Sequence, residues 1–196
     1  MRFQKNVINN WKDTFNNQSK LKQLITRSNL LGADLKVTNF GGGNTSSKIF
    51  LKDPITKKME NILFVKGSGG DLGSIKEDGF ASLYLDKFYS LKKIYRGPNY
   101  EDEMVSYYPM CTFNNNPRAA SIDTPLHAYV PFPEVDHTHP DSIIALATMS
   151  NGRDVINKVY QGKVGWLNWQ RPGFDLGLKM ENLIKKNNNI MGIVLG

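Results

Sequence analysis

The run Val135-Asp136-His137-Thr138-His139-Pro140-Asp141 holds two of the chain's three histidines, one residue apart. On an extended segment a period of two puts both imidazoles on the same face, a spacing that suits one metal ion. Imidazole binds zinc well, and a catalytic zinc takes three protein ligands and leaves a position open for water or substrate. A pair of polar residues at a strand end satisfies the same spacing. Two glycine-rich runs, Phe40-Gly41-Gly42-Gly43-Asn44-Thr45-Ser46-Ser47-Lys48 and Lys66-Gly67-Ser68-Gly69-Gly70-Asp71-Leu72, add a second kind of chemistry. Glycines admit positive φ and close backbone approach, so consecutive N–H groups can converge on an anion. Neither run ends in the Gly-Lys-Ser/Thr of a P-loop or has the spacing of a dinucleotide fingerprint. One such turn is often just a hairpin; two of them, both rich in hydroxyl or amide side chains, point to a phosphate or polyol site. A third element, Ala119-Ala120-Ser121-Ile122-Asp123-Thr124-Pro125-Leu126-His127, places Asp123 fourteen residues before His137. A carboxylate beside a metal-bound carbonyl compound is what proton abstraction requires. The alternative is that Asp123 caps a helix.

These residues need elements to hold them. Residues 7–31 read as a helix, with Leu21, Leu24 and Ile25 at helical spacing and Gly32 as its stop. Short strands broken by glycine follow at 35–40, 48–51 and 62–66, then a helix over 79–95. Residues 124–130 read as a short helix with Ser121 or Asp123 as N-cap and Pro125 in its first turn. The histidine strand leads into a helix over 142–149, and 174–186 reads as another amphipathic helix. The last element is a buried strand over 190–195. No repeat and no long linker divides the chain, so 1–196 reads as a single domain. Its end on an apolar strand points to a fragment of a longer polypeptide.

At 196 residues with 40% hydrophobic content, ten Phe, eight Tyr and three Trp, the chain is long and apolar enough for a packed core and too apolar for disorder. The single Cys111 excludes an intrachain disulfide and suits a reducing cytosol. No apolar run approaches the roughly 20 residues of a membrane helix, and Met1-Arg2-Phe3-Gln4-Lys5 leads into polar residues without the apolar core of a signal peptide. The expectation is a cytoplasmic protein. The net charge of +7 is dispersed over Lys20, Lys22, Lys57, Lys58, Lys92, Lys93, Lys185 and Lys186. A nucleic-acid binder gathers such charge into a stripe interleaved with aromatics. The spread fits a solvated surface or attraction for small anionic substrates, and no nucleic-acid or membrane partner is expected.

Taken together, Gly42-Gly43-Asn44-Thr45-Ser46, Lys66-Gly67-Ser68-Gly69, Ser121-Ile122-Asp123 and His137-Thr138-His139-Pro140 resemble the class II aldolase/adducin family, in family order, from about residue 20 to Gly196. Within it, the runs 121–124, 135–141 and Gln170-Arg171-Pro172-Gly173-Phe174-Asp175-Leu176-Gly177 look most like the aldolase half of the bifunctional rhamnulose-1-phosphate aldolase/alcohol dehydrogenases.

The resemblance implies an α/β fold: a three-layer α/β/α sandwich around a mixed, largely antiparallel sheet. It makes His137 and His139 zinc ligands, and Gly43, Asn44, Ser68, Gly69 and Ser121 substrate phosphate-binding positions. Ile122 departs from the second hydroxyl residue often found there. Asp123 matches the catalytic acid/base position, where many members carry Glu. His127, one turn along, could bond Asp123 or pack in the core. The family's third ligand is a histidine just after a strand like 190–195, so the chain is expected to carry two of three ligands. The implied activity is zinc-dependent retro-aldol cleavage of a ketose 1-phosphate, rhamnulose 1-phosphate by the nearest likeness, to dihydroxyacetone phosphate and lactaldehyde. Epimerases and dehydratases of sugar phosphates share the scaffold, and so does a non-catalytic adducin-like module. Relatives form tetramers, so a homo-oligomer is expected. A dehydrogenase-like domain is expected to follow in the native polypeptide. Trp166 and Trp169 read as packing or interface residues.

Overall fold

The computed structural model describes residues 9–196. The first two residues of the expected N-terminal helix, and the run 1–5, lie outside the described residues. Six strands form among the described residues: β1 (Asn44–Lys52), β2 (Met59–Lys66), β3 (Phe80–Tyr84), β4 (Glu134–His137), β5 (Val164–Leu167) and β6 (Gly192–Leu195). The first four pair antiparallel in the order β3-β2-β1-β4, and β5 pairs with β6 in parallel. The α-helices are α1 (Lys20–Ala33), α2 (Leu85–Ser90), α3 (Glu101–Tyr107), α4 (Thr124–Ala128), α5 (Asp141–Ala147), α6 (Gly152–Tyr160) and α7 (Phe174–Lys186). Among the described residues no helix is long and apolar enough to cross a membrane.

The period of two along β2 builds the layers. Ile62 and Phe64 point to one face and pack with Leu24 of α1, Phe80 and Phe113. Leu63 and Val65 point to the other, into a cluster with Leu83, Phe88, Tyr108, Tyr129 and Phe174. The sheet is therefore covered on both sides, giving the α/β/α sandwich with antiparallel pairing predominant. Burying an aromatic side chain such as Phe88 or Phe174 contributes about 1.5–3 kcal/mol, and the two rings sit 6.5 Å apart in one aromatic cluster.

Three expected elements differ. Residues 79–95 do not form one helix: they form β3 followed by α2. The run Phe80-Ala81-Ser82-Leu83 is buried on both faces of the sheet, and such a run carries no period that separates a covered strand from a buried helix. Residues 35–40 are turn rather than strand, because Asp34 closes them locally. Its carbonyl accepts from Val37 and Thr38, its carboxylate from the Lys36 N–H. The first helix is shorter than expected at its start, since Asp13–Asn17 form a separate 3-10 turn and α1 begins at Lys20, and Gly32 does not stop it, since it runs through Ala33. Glycine stands there for closeness, since a Cβ would lie 2.0 Å from the Gly73 nitrogen. By contrast α4, α5 and α7 lie where helices were expected, α7 with the expected bounds.

Candidate active site

β4 ends on His137, whose register partner is Asn44 at the start of β1. His139 lies two residues past the strand, and the rings still meet: the centroids are 4.8 Å apart and the Nε2 atoms 3.1 Å apart. Two nitrogens bound at about 2.0–2.1 Å to one tetrahedral zinc are about 3.3–3.4 Å apart, so the pair fits a shared metal. The opposite face of β4 is pinned by Arg27 of α1. Its guanidinium binds Glu134 at 2.8 Å, Asp136 at 2.9 Å and the Ser46 carbonyl at 2.6 Å. Because 134 and 136 alternate with 135 and 137, this clamp fixes the direction of the His137 side.

Asp123 occupies the N-cap position of α4, yet its side chain makes no capping hydrogen bond. The Ser121 carbonyl takes that role, accepting from the Thr124 N–H at 3.0 Å and the Thr124 hydroxyl at 2.6 Å. The Asp123 carboxylate is thus free to face His137, with Oδ2 3.9 Å from Nδ1. Burial holds the His137 pKa below the ordinary imidazole value, against the opposing charge of Asp123. His137 Nδ1 is itself buried without a hydrogen-bond partner, as an imidazole prepared for a charged neighbour would be. Among the described residues no group of three His, Cys, Asp or Glu side chains stands ready for a metal. His127 does not complete one. It is fully buried, bonds Ser46 Oγ through Nδ1 at 2.9 Å, and makes no bond to Asp123. Desolvation lowers its pKa to about 3.

The two glycine turns converge beside the histidines. Gly41–Asn44 and Lys66–Gly69 line a small cavity of about 190 Å³ together with Ser121, Asp123 and His139. Asp71 ties the turns together, one carboxylate oxygen accepting from the Gly41 N–H and the other from the Gly73 N–H. Gly43 has φ 75° and packs so tightly that a Cβ would lie 2.4 Å from the His137 carbonyl oxygen. So Gly43, Asn44, Ser68, Gly69, Ser121, Asp123 and His139 meet in one cavity, whereas His137 does not line it and reaches it only through Asp123 and His139. Lys66 also lines the cavity, a residue quoted in the sequence only as the start of the second glycine run and given no role there. The last residue of β2, it is only 3% exposed, and among the described residues its ammonium donates to no protein acceptor. Burial, then the Arg118 charge, pushes its pKa down. Its signal in the sequence was a cation placed directly before a glycine turn.

A larger cavity of about 800 Å³ opens on the far side of the histidines, between β4, α5, α7 and β6. Its walls are mainly apolar, with Val135, Ile143, Ile184 and Ile193 among them. Trp169 at its mouth is 80% exposed rather than packed, whereas Trp166 is half-buried and bonds Asn168 through its indole N–H.

Comparison with known proteins matches residues 22–195 to the Class II Aldolase and Adducin N-terminal domain. A Bacillus subtilis (strain 168) protein described as the uncharacterized oxidoreductase YuxG is 39% identical over 167 residues, 85% of this chain and 24% of the relative. The chain thus spans about a quarter of that curated relative. The N-terminal class II aldolase domain of a conserved protein from Thermoplasma acidophilum superposes with a TM-score of 0.81 at 32% identity, over 98% of this chain and 85% of that one. YgbL of Escherichia coli, a putative aldolase/epimerase/decarboxylase by its description, gives 0.56 at 12% identity over 90% and 73%, a likeness of fold alone.

Proposed function

Because the chain belongs to the class II aldolase and adducin family, we propose that it carries out metal-dependent retro-aldol cleavage of a ketose 1-phosphate. The substrate is rhamnulose 1-phosphate, and the products are dihydroxyacetone phosphate and lactaldehyde. The observation that carries the reading is convergence: an unbonded carboxylate and one member of an imidazole pair line a donor-rich cavity of about 190 Å³, with the second imidazole in contact with both.

His137 and His139 would hold the metal, and zinc suits their donor set. When bound, the ion supplies Lewis acidity to the substrate ketone. The protein's own groups do the rest. The turns at Gly43-Asn44 and Ser68-Gly69, with Ser121, bind the phosphate and fix the scissile bond relative to the carboxylate. The bond from the carbon next to the ketone to the hydroxyl-bearing carbon breaks. Its electron pair stays on the former, and the hydroxyl gives up its proton to the Asp123 carboxylate to form the aldehyde. The protonated Asp123 then returns that proton to the carbon next to the ketone. The Asp side chain is one methylene shorter than Glu, and the Ser121 carbonyl compensates by relieving it of capping duty.

YuxG is described as an oxidoreductase and is about four times as long as the matched region, in keeping with an aldolase unit joined to a redox unit. The single Cys111 suits a reducing cytoplasm, where the protein works on a soluble sugar phosphate as a homo-oligomer.

The test is product analysis with rhamnulose 1-phosphate in the presence of zinc. Expected is release of dihydroxyacetone phosphate that stops with a chelator and falls about 10²–10⁴-fold in Asp123→Asn. An isomeric sugar phosphate or a dehydrated product without C–C cleavage would replace this reading with an epimerase or a dehydratase on the same scaffold.

A further inference from the structure

Arg118 belongs to no run used so far, yet it lies across the second glycine turn. The segment carrying it is anchored to β3. Asn116 donates to the Phe80 carbonyl at 2.9 Å and to Ser82 Oγ at 3.0 Å, and its own side-chain oxygen accepts from the Arg118 N–H at 2.9 Å. From this base the guanidinium reaches back, and Nη2 donates to the Ser68 carbonyl at 2.7 Å and the Gly69 carbonyl at 3.3 Å. The side chain passes directly over Gly67, where a Cβ would sit 2.4 Å from Arg118 Nε. Glycine is therefore required at 67 to let the arginine through. Arg118 Nε is buried with no partner, so the group is held here by its two carbonyl bonds.

Those bonds have a consequence fixed by peptide geometry. In a trans peptide the C=O and the following N–H point in opposite directions. Holding the Ser68 carbonyl toward Arg118 turns the Gly69 N–H away from it, and holding the Gly69 carbonyl does the same to the Gly70 N–H. Among the described residues the N–H groups of Gly69 and Gly70 donate to no protein acceptor, and Gly69 lines the small cavity. We propose that Arg118 is a positioning residue for anion binding: it orients the Ser68–Gly70 peptides so that their N–H groups face a phosphate ester in that cavity. Its charge polarises the same peptides, which strengthens them as donors. The proposal rests on the phosphate reading of the cavity given above.

The experiment compares wild type, Arg118→Met and Arg118→Lys for binding of dihydroxyacetone phosphate, inorganic phosphate and unphosphorylated dihydroxyacetone, with KM and kcat for cleavage. Expected for Arg118→Met is a loss of about tenfold to a hundredfold in affinity for both phosphates and a rise of the same size in KM, as two charged hydrogen bonds suggest. The affinity for dihydroxyacetone and kcat at saturation stay within about threefold. Arg118→Lys recovers only part of the loss, because an ammonium lacks the planar fork. If Arg118→Met fails to fold, Arg118→Lys carries the test with the same split. Phosphate affinity equal to wild type in a folded variant, or an equal loss for the phosphorylated and unphosphorylated ligands, would overturn the proposal. Wild type without affinity for either phosphate would overturn the phosphate reading, and this proposal with it.

Discussion

Asp123 and His127 sit one helical turn apart on or beside the same five-residue helix, and their surroundings give them opposite uses. Asp123 faces His137 from the rim of the cavity, whereas His127 is sealed beneath it against Ser46. The energetic signature of His127 follows from its burial. An unfolded histidine titrates near 6.5, and the folded one near 3. Below about pH 6.5 the unfolded chain binds a proton that the folded chain refuses, so stability falls as the pH drops from 6.5 toward 3. His127→Gln removes this dependence. Denaturant titrations at pH 7 and pH 4.5 are expected to show a smaller loss of stability on acidification in the variant than in wild type. At this scale the sequence was readable where chemistry is local. The His-x-His spacing and the Ser-Ile-Asp run named side chains that do converge. Lys66 and Arg118 were given no role because their placement is tertiary: Arg118, fifty residues on from Ser68, crosses Gly67 to reach the second turn. The reading of Asp123 as a helix cap was defensible from sequence, and was displaced only because a backbone carbonyl does the capping.

Among the elements, the seam between α4 and α7 governs where the carboxylate stands. Gly177 of α7 meets Pro125 of α4 so closely that a Cβ would lie 2.7 Å from the proline Cβ and 2.8 Å from its carbonyl carbon. Backbone cannot yield as a flexible side-chain tip would. Gly177→Ala is expected to cost about 1–3 kcal/mol and to lower turnover by shifting α4, whereas Gly192→Ala, with open space around it, stays within about 0.5 kcal/mol of wild type. Denaturation and activity measured on both variants check the pair. The same seam explains why α7 was legible: its apolar face packs continuously and Glu101 caps its first turn, accepting from the Phe174 and Asp175 N–H groups at 2.7 and 2.8 Å. β3 was illegible for the converse reason, since a strand covered on both faces erases the alternation that would have announced it.

For the molecule as a whole, the site joins distant parts of the chain: the turn after α1, the ends of β2 and β4, and the start of α4. A ligand that binds only this assembled state stabilises all of it. Zinc at about 100 times its dissociation constant is expected to add about 2.7 kcal/mol, read as a rise in melting temperature that His139→Ala abolishes. A melting temperature unmoved by zinc in wild type would separate the imidazole pair from metal binding.

The tight seat of Gly43 on the His137 carbonyl, and of Gly42 against His139, where a Cβ would lie 2.8 Å from Nδ1, has a further consequence. With no side chain between the first glycine turn and the imidazoles, their separation is set by close contact and has little room to stretch. On the proposed function the cleft would act as a ruler: it would measure the number of bonds between a substrate's charged end and its carbonyl, and would sort sugars by that count before reading any hydroxyl.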